Sequence, residues 1–262
     1  MLKVNPPARG PRRRGVYLLP NLFTTAALFA GFYAIVSASA MDSGFLGAAV
    51  SIYVAMILDG VDGHVARLTN TETDFGAEYD SLSDMICFGL APALVMFEWS
   101  LVSWGKLGWL AAFVYTAAAA LRLARFNTQV GIADKRYFQG LPSPSAAALL
   151  AGAVWLGEDS GLGDGRSLAP LTILLTVLAA LLMVSNIRYY SLKTLDFRGR
   201  LPFVAGLLVV LVFVFVSLSP PLLLFLGFLV YAASGPIMTL VQLRRHRAAR
   251  RAGLEGEPPA DG

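Results

Sequence analysis

Apolar residues run along this chain in long blocks rather than in the alternation of a strand or the one-sided stripe of a helix packed on a soluble core. Such blocks occupy residues 18–39, 45–67, 76–99, 107–123, 143–156, 168–187, 202–218 and 222–243. At 1.5 Å of rise per residue, about 20 apolar residues in a helix cross the hydrocarbon of a bilayer. The pattern therefore predicts an all-α, polytopic membrane protein with about eight transmembrane helices. The fifth block is short and only Ser219, Pro220 and Pro221 separate the last two, so six or seven spans are also compatible with it. Arg12, Arg13 and Arg14 precede the first block, but it is too long for the core of a removable signal and shows no cleavage site. No internal repeat is visible.

Composition agrees with this reading: of 262 residues, 56% are hydrophobic and 15% charged, and the mean hydropathy is +0.63, well above a soluble domain. Cys87, the one cysteine, leaves no internal disulfide and is read as a packing residue. The net charge of +4 does not imply nucleic acid, because the basic residues sit at the ends of apolar blocks and form no single face. They fit topology instead. With the N-terminus in the cytoplasm, 19 of the 21 lysines and arginines fall in cytoplasmic connections and tails, Lys106 and Arg166 being the exceptions. That bias predicts an N-in, C-in protein of the cell membrane, since cytoplasmic loops collect Lys and Arg. Residues 1–16 form a basic tail, 17–243 one membrane-embedded domain, and 244–262 a basic and then flexible tail whose arginines rest on anionic headgroups.

The apolar pattern is broken where chemistry is expected. Residues 57–89 read ILDGVDGHVARLTNTETDFGAEYDSLSDMICFG and carry Asp59, Asp62, Asp80 and Asp84 inside otherwise apolar spans. An ionised carboxylate deep in a bilayer costs about 3 kcal/mol or more, so these acids need partners, metal ions or a wet cavity. Asp59 and Asp62 are three apart, Asp80 and Asp84 four apart, so each pair projects from one helical face. Two facing helices can then aim four carboxylates at one point near the cytoplasmic mouth. Clustered carboxylates without Cys or His partners favour a hard cation, Mg²⁺ or Mn²⁺, with two ions plausible. Such a pair, about 4 Å apart, clamps the attacking and leaving oxygens of a displacement at phosphorus. His64 lies in this stretch and is read as a surface residue. Gly60, Gly63 and Ala66 leave space either for close helix packing or for a nucleotide, and Arg67 either grips a diphosphate or snorkels to the interface.

Asp59-Gly-Val-Asp62-Gly63-His-Val-Ala66-Arg67, followed by Gly76, Asp80 and Asp84, resembles the signature of the CDP-alcohol phosphotransferases, with every defining position filled. The resemblance implies that Asp59, Asp62 and Asp80 bind metal, that Asp84 binds metal or acts as general base, and that Gly63, Ala66 and Arg67 hold the CDP moiety. Further segments are similar to the membrane-spanning phosphatidylserine synthases within that family: Leu19-Pro20-Asn21-Leu-Phe-Thr24, residues 81–92, residues 121–127, Phe138-Gln-Gly140-Leu141-Pro142-Ser143-Pro144-Ser145, and Ser185-Asn186-Ile-Arg188-Tyr189. Each could also be a helix start, a cap or a topological anchor. On the resemblance, the CDP-lipid is expected at Asn21, Thr24, Asp59, Asp62, Gly63, Ala66, Arg67, Gly76 and Asp80. The acceptor is expected at Arg122, Arg125, Ser143 and Arg188. The implied reaction transfers the phosphatidyl group of CDP-diacylglycerol to L-serine in a homodimer; the expected topology puts it at the cytoplasmic face, and the lack of a triad-like Ser, Cys or His arrangement favours direct transfer. Alternatives are the same chemistry on glycerol 3-phosphate, an inositol phosphate or choline, a cation transporter, or a scaffold with a structural metal. A phospholipase-D-like route needs duplicated His-Lys motifs, which a chain with only His64 and His246 cannot supply.

Overall fold

The computed structural model describes residues 18–40, 44–69, 73–129, 137–161, 165–190, 211 and 217–251. Helices dominate: α1 (Leu18–Ala40), α2 (Phe45–Thr69), α3 (Asp74–Asp84), α4 (Ala91–Trp99), α5 (Lys106–Gln129), α6 (Ser143–Asp159), α7 (Ala169–Val184) and α8 (Pro220–Arg251). Two three-residue strands, β1 (Tyr137–Gln139) and β2 (Arg188–Tyr190), pair antiparallel and join the connections that follow α5 and α7.

Among the described residues, six helical segments are long and apolar enough to span a bilayer: Pro20–Ala40, Phe45–Thr69, Asp74–Trp99, Lys106–Thr128, Gly165–Val184 and Pro220–Gln242. The fifth expected span corresponds to α6, which at 17 residues is shorter than these and is largely buried, packed on α2 and α8. The seventh, 202–218, lies almost wholly outside the described residues. The surface is inverted relative to a soluble protein: Phe29, Phe32, Leu68, Phe75, Leu82 and Trp109 are exposed, a quantity of outward apolar area that water would not tolerate.

Inside, small residues let helices approach closely. Ala30, Ala34 and Ala38 of α1 recur every four residues and join Ala48, Ala49, Ile52 and Ala55 of α2 in one buried cluster. Tyr53 donates its hydroxyl to Ala148 O of α6 at 2.7 Å and meets Trp155 edge-on. A side chain at Gly152 would strike that hydroxyl and the Phe225 backbone of α8, so the three helices meet where only glycine fits. Tyr189 of β2 donates to Ala232 O of α8 at 2.9 Å. Burial pushes its phenol up to about 12, which keeps it a donor.

Between α3 and α4 the chain forms a six-residue π-helical segment, Met85–Leu90, with Ala91 N–H bonded five residues back to Ile86 O. Pro92 supplies the local cause. It has no N–H to offer the Phe88 carbonyl four residues earlier, and the buried Tyr115 of α5 donates its hydroxyl there instead, at 3.1 Å. The wider turn changes the helical phase, so Asp80 and Asp84 face a cleft while Cys87, Phe88, Ala91 and Val95 face the core. Replacing Tyr115 by Phe should therefore lower the melting temperature in detergent, by a loss of about 1 kcal/mol. An unchanged melting temperature would contradict this role.

Candidate active site

Three helices build the site. The last three turns of α2 carry Asp59, Asp62, Gly63, Ala66 and Arg67, α3 carries Gly76, Asp80 and Asp84, and the start of α1 carries Asn21 and Thr24. Thr73 caps α3, accepting Gly76 N–H on its side-chain oxygen at 3.0 Å, which satisfies an amide left over by helix geometry. Lateral bonds fix α3: Thr25 of α1 and Tyr79 share a hydroxyl contact of 2.9 Å, and Asn127 Nδ2 of α5 donates to Ser81 Oγ at 3.0 Å.

Ligand atoms of Asp59, Asp62 and Asp80 lie within 4.8 Å of one another. Asp84 completes the group, its carboxyl set against that of Asp59. Asp62 is buried, and Thr24 Oγ1 donates to its Oδ2 at 2.7 Å. Asp84 Oδ1 is buried and finds no hydrogen-bond partner among the described residues. Like charges at this spacing repel, and a buried carboxylate oxygen without a donor is costly. A hard divalent cation resolves both, so the donor set fits a divalent metal.

Two clefts open on the acids from either side. The first, of about 370 Å³, is lined by Asn21, Thr24, Ala66, Thr73, Asp74 and Gly76, together with Asp62, Gly63, Arg67 and Asp80. The second, of about 620 Å³, shares those last four and adds Asp59, Asp84, Arg122, Ser143 and Tyr231, with an apolar flank from Phe126 and Phe228. The shared residues form the boundary between the smaller cleft and a larger, more apolar one. Gly60 also lines the second cleft, and a Cβ there would meet nothing within 4 Å. Gly60 therefore faces open space and not a packed helix.

Arg122 is buried at 8% exposure, beside Asp84, with Nη1 donating to Ser143 Oγ at 3.2 Å and Nε without a partner among the described residues. The residues expected around an acceptor thus divide. Arg122 and Ser143 meet in the second cleft, whereas Arg125 donates to Val184 O at 3.1 Å and Asn186 Oδ1 at 3.2 Å, and Arg188 is exposed in β2. Neither Arg125 nor Arg188 lines either of these two clefts. Of the residues expected around the CDP-lipid, all line the first cleft except Asp59, which faces the second. His64 is exposed and lines neither. Sequence reasoning missed Thr73, Asp74 and Tyr231. Thr73 and Asp74, at the start of α3, are accessible through the capping pattern of Thr73 with the first-turn Asp74, while Tyr231 is one aromatic among many in an apolar span.

A sequence profile described as CDP-alcohol phosphatidyltransferase matches residues 17–185. The chain is similar to a Helicobacter pylori protein named CDP-diacylglycerol–serine O-phosphatidyltransferase, 37% identical over 229 residues, covering 87% of this chain and 94% of that one. A protein of the same name from Mycobacterium bovis is 32% identical over 271 residues, covering 95% and 92%. One from Methanocaldococcus jannaschii is 40% identical over 138 residues, covering 53% and 61%. The profile match contains all four acids, both cleft-lining arginines and the glycines between them; the chain belongs to the CDP-alcohol phosphatidyltransferase family.

Proposed function

We propose that this protein is a multi-pass membrane enzyme that transfers the phosphatidyl group of CDP-diacylglycerol to L-serine, giving phosphatidylserine and CMP. The observation that carries the chemistry is the convergence of Asp59, Asp62 and Asp80, with Asp84 set against Asp59, where two clefts meet at Asp62 and Asp80. Serine as acceptor is supported by the names of the relatives that cover most of the chain. Arg122 beside Ser143 in the second cleft favours the same acceptor.

The first cleft takes the cytidine and the diphosphate, with Arg67 reaching the phosphate oxygens by its fork of donors. Asp59, Asp62, Asp80 and Asp84 would hold Mg²⁺ or Mn²⁺, two ions by their number. When bound, the metal supplies positive charge that neutralises the diphosphate and its developing leaving group. Serine enters the second cleft with its carboxylate on Arg122 and the α6 N-terminus, where Ser143 sits. Its hydroxyl oxygen attacks the β-phosphorus, and the new O–P bond forms as the bond to the bridging oxygen breaks. That oxygen leaves with CMP, and Asp84 takes the hydroxyl proton. No Ser, Cys or His triad stands among the lining residues, which favours direct transfer. The apolar flank suits the acyl chains of both lipids. A homodimer belongs to this reading on family resemblance alone.

Purified protein incubated with CDP-diacylglycerol and a panel of hydroxyl acceptors tests the assignment through CMP release. Serine should give release that stops in excess chelator and returns with Mn²⁺ or Mg²⁺. Release with glycerol 3-phosphate but not serine would change the acceptor, and full activity in chelator would remove the metal.

The reading also places the site on the cytoplasmic face, next to CTP-derived substrate. A cysteine at Ser160, exposed at the end of α6, should react with an impermeant maleimide on intact cells, whereas one at Thr128, exposed at the end of α5, should react only after permeabilisation. The opposite pattern would contradict the orientation.

A further inference from the structure

We propose that Thr24 is a positioning residue for the acids, its hydroxyl fixing the Asp62 carboxylate for cation binding. Although its side chain borders the first cleft, it would then act on the metal site and not on the nucleotide. The inference rests on the reading of the acids as cation ligands.

Threonine hydroxyls inside helices ordinarily bond back to the carbonyl four residues earlier. Thr25 does this, donating to Asn21 O at 2.7 Å from an exposed position. Thr24, one residue earlier, is buried at 4% exposure, with Oγ1 at 3.1 Å from Pro20 O but at 2.7 Å from Asp62 Oδ2 on another helix. A hydroxyl has one hydrogen, and the shorter contact to an anionic acceptor holds it. Both partners are buried, each at 4% exposure.

The backbone at Thr24 is anchored as well. Ser83 Oγ donates to Thr24 O at 3.3 Å, and Cys87 Sγ contacts Ala27 O at 3.2 Å. Ser83 stands between Asp80 and Asp84 in sequence. One residue of α1 is thus bonded through its side chain to the helix of the first acid pair and through its carbonyl to the helix of the second. Held this way, the Asp62 carboxylate has lost its rotational freedom before a cation arrives, the usual effect of an outer hydrogen-bond partner on a metal ligand.

Calorimetric titration of Mn²⁺ into purified protein, without nucleotide or acceptor, tests this. Thr24→Val keeps the shape and removes the donor, Thr24→Ser keeps the donor, and Thr24→Ala removes the donor without an added methyl should the valine variant not fold. Expected are a dissociation constant raised about 10- to 100-fold in Thr24→Val, or in Thr24→Ala, and a value within about 3-fold of wild type in Thr24→Ser. Equal Mn²⁺ affinity in wild type and Thr24→Val overturns the inference, as does a serine variant as weak as the valine one. A raised KM for CDP-diacylglycerol with Mn²⁺ affinity unchanged also overturns it and makes Thr24 a nucleotide contact. If the wild type itself binds no Mn²⁺, the reading of the acids falls, a result distinct from a loss confined to the variants.

Discussion

Asp84→Asn should lower turnover with serine by about 10³-fold or more while leaving the fold intact, because one substitution removes a proton acceptor and a ligand charge together. Loss of a general base alone costs about 10²- to 10⁴-fold. Asparagine has nearly the same volume, and Asp84 Oδ1 has no partner to lose among the described residues. Asp84 also adds a fourth acid to a place already holding Asp59, Asp62 and Asp80. The metal-free variant is therefore expected to melt no lower than metal-free wild type, since it removes one acid from a buried, crowded group. Rates measured as CMP release, beside melting curves in chelator, separate the two effects. Turnover within about 10-fold of wild type would remove Asp84 from the chemistry.

The second large effect concerns acceptor choice. Ethanolamine keeps the amino and hydroxyl groups of serine and lacks its carboxylate, so it would leave unsatisfied the buried Arg122 guanidinium, whose Nε has no partner among the described residues. A site built around a polar group rejects the analogue lacking it by about 10⁴-fold in kcat/KM. Arg122→Lys preserves charge but not the planar fork, so KM for serine should rise about 10- to 100-fold with kcat less affected. Arg122→Met should erase most of the preference by lowering the serine rate. Comparable kcat/KM for serine and ethanolamine in the wild type would refute carboxylate recognition here. A serine preference kept intact in Arg122→Met would place that recognition elsewhere.

The parts of the molecule set by local spacing could be read directly. Long apolar blocks predict spans because the bilayer fixes a length, and aspartates three and four apart predict one face because the helix fixes an angle. Asp59, Asp62 and Asp80 converge as that geometry requires. Features that depend on which partner wins a side chain could not be read this way. Arg122 and Arg125 are three residues apart on α5 and look equivalent in sequence, yet Arg122 lines the cleft while Arg125 bonds Val184 O and Asn186. The carbonyls at the end of α7 have no helical partner of their own, which makes them strong acceptors for a nearby guanidinium. The π-helical turn after Asp84 depends on Pro92 and on Tyr115, 27 residues away from the carbonyl it satisfies. Thr24 belonged to a segment whose resemblance suggested a nucleotide contact, while its bond to Asp62 spans 38 residues. The short α6 gives a weak span signal because its 17 residues fall below the length that crosses a bilayer, while its packing on α2 and α8 depends on contacts that spacing does not show.

The central claim, that the serine hydroxyl attacks the β-phosphorus of CDP-diacylglycerol at the aspartate site, is tested most directly with serine carrying ¹⁸O in its hydroxyl. Wild-type protein with Mn²⁺ should convert it to phosphatidylserine that keeps the label in the phosphodiester, with one unlabelled CMP released per lipid, and Asp84→Asn should form almost none. Label in CMP, a lipid product without it, or no phosphatidylserine from active protein would contradict the account.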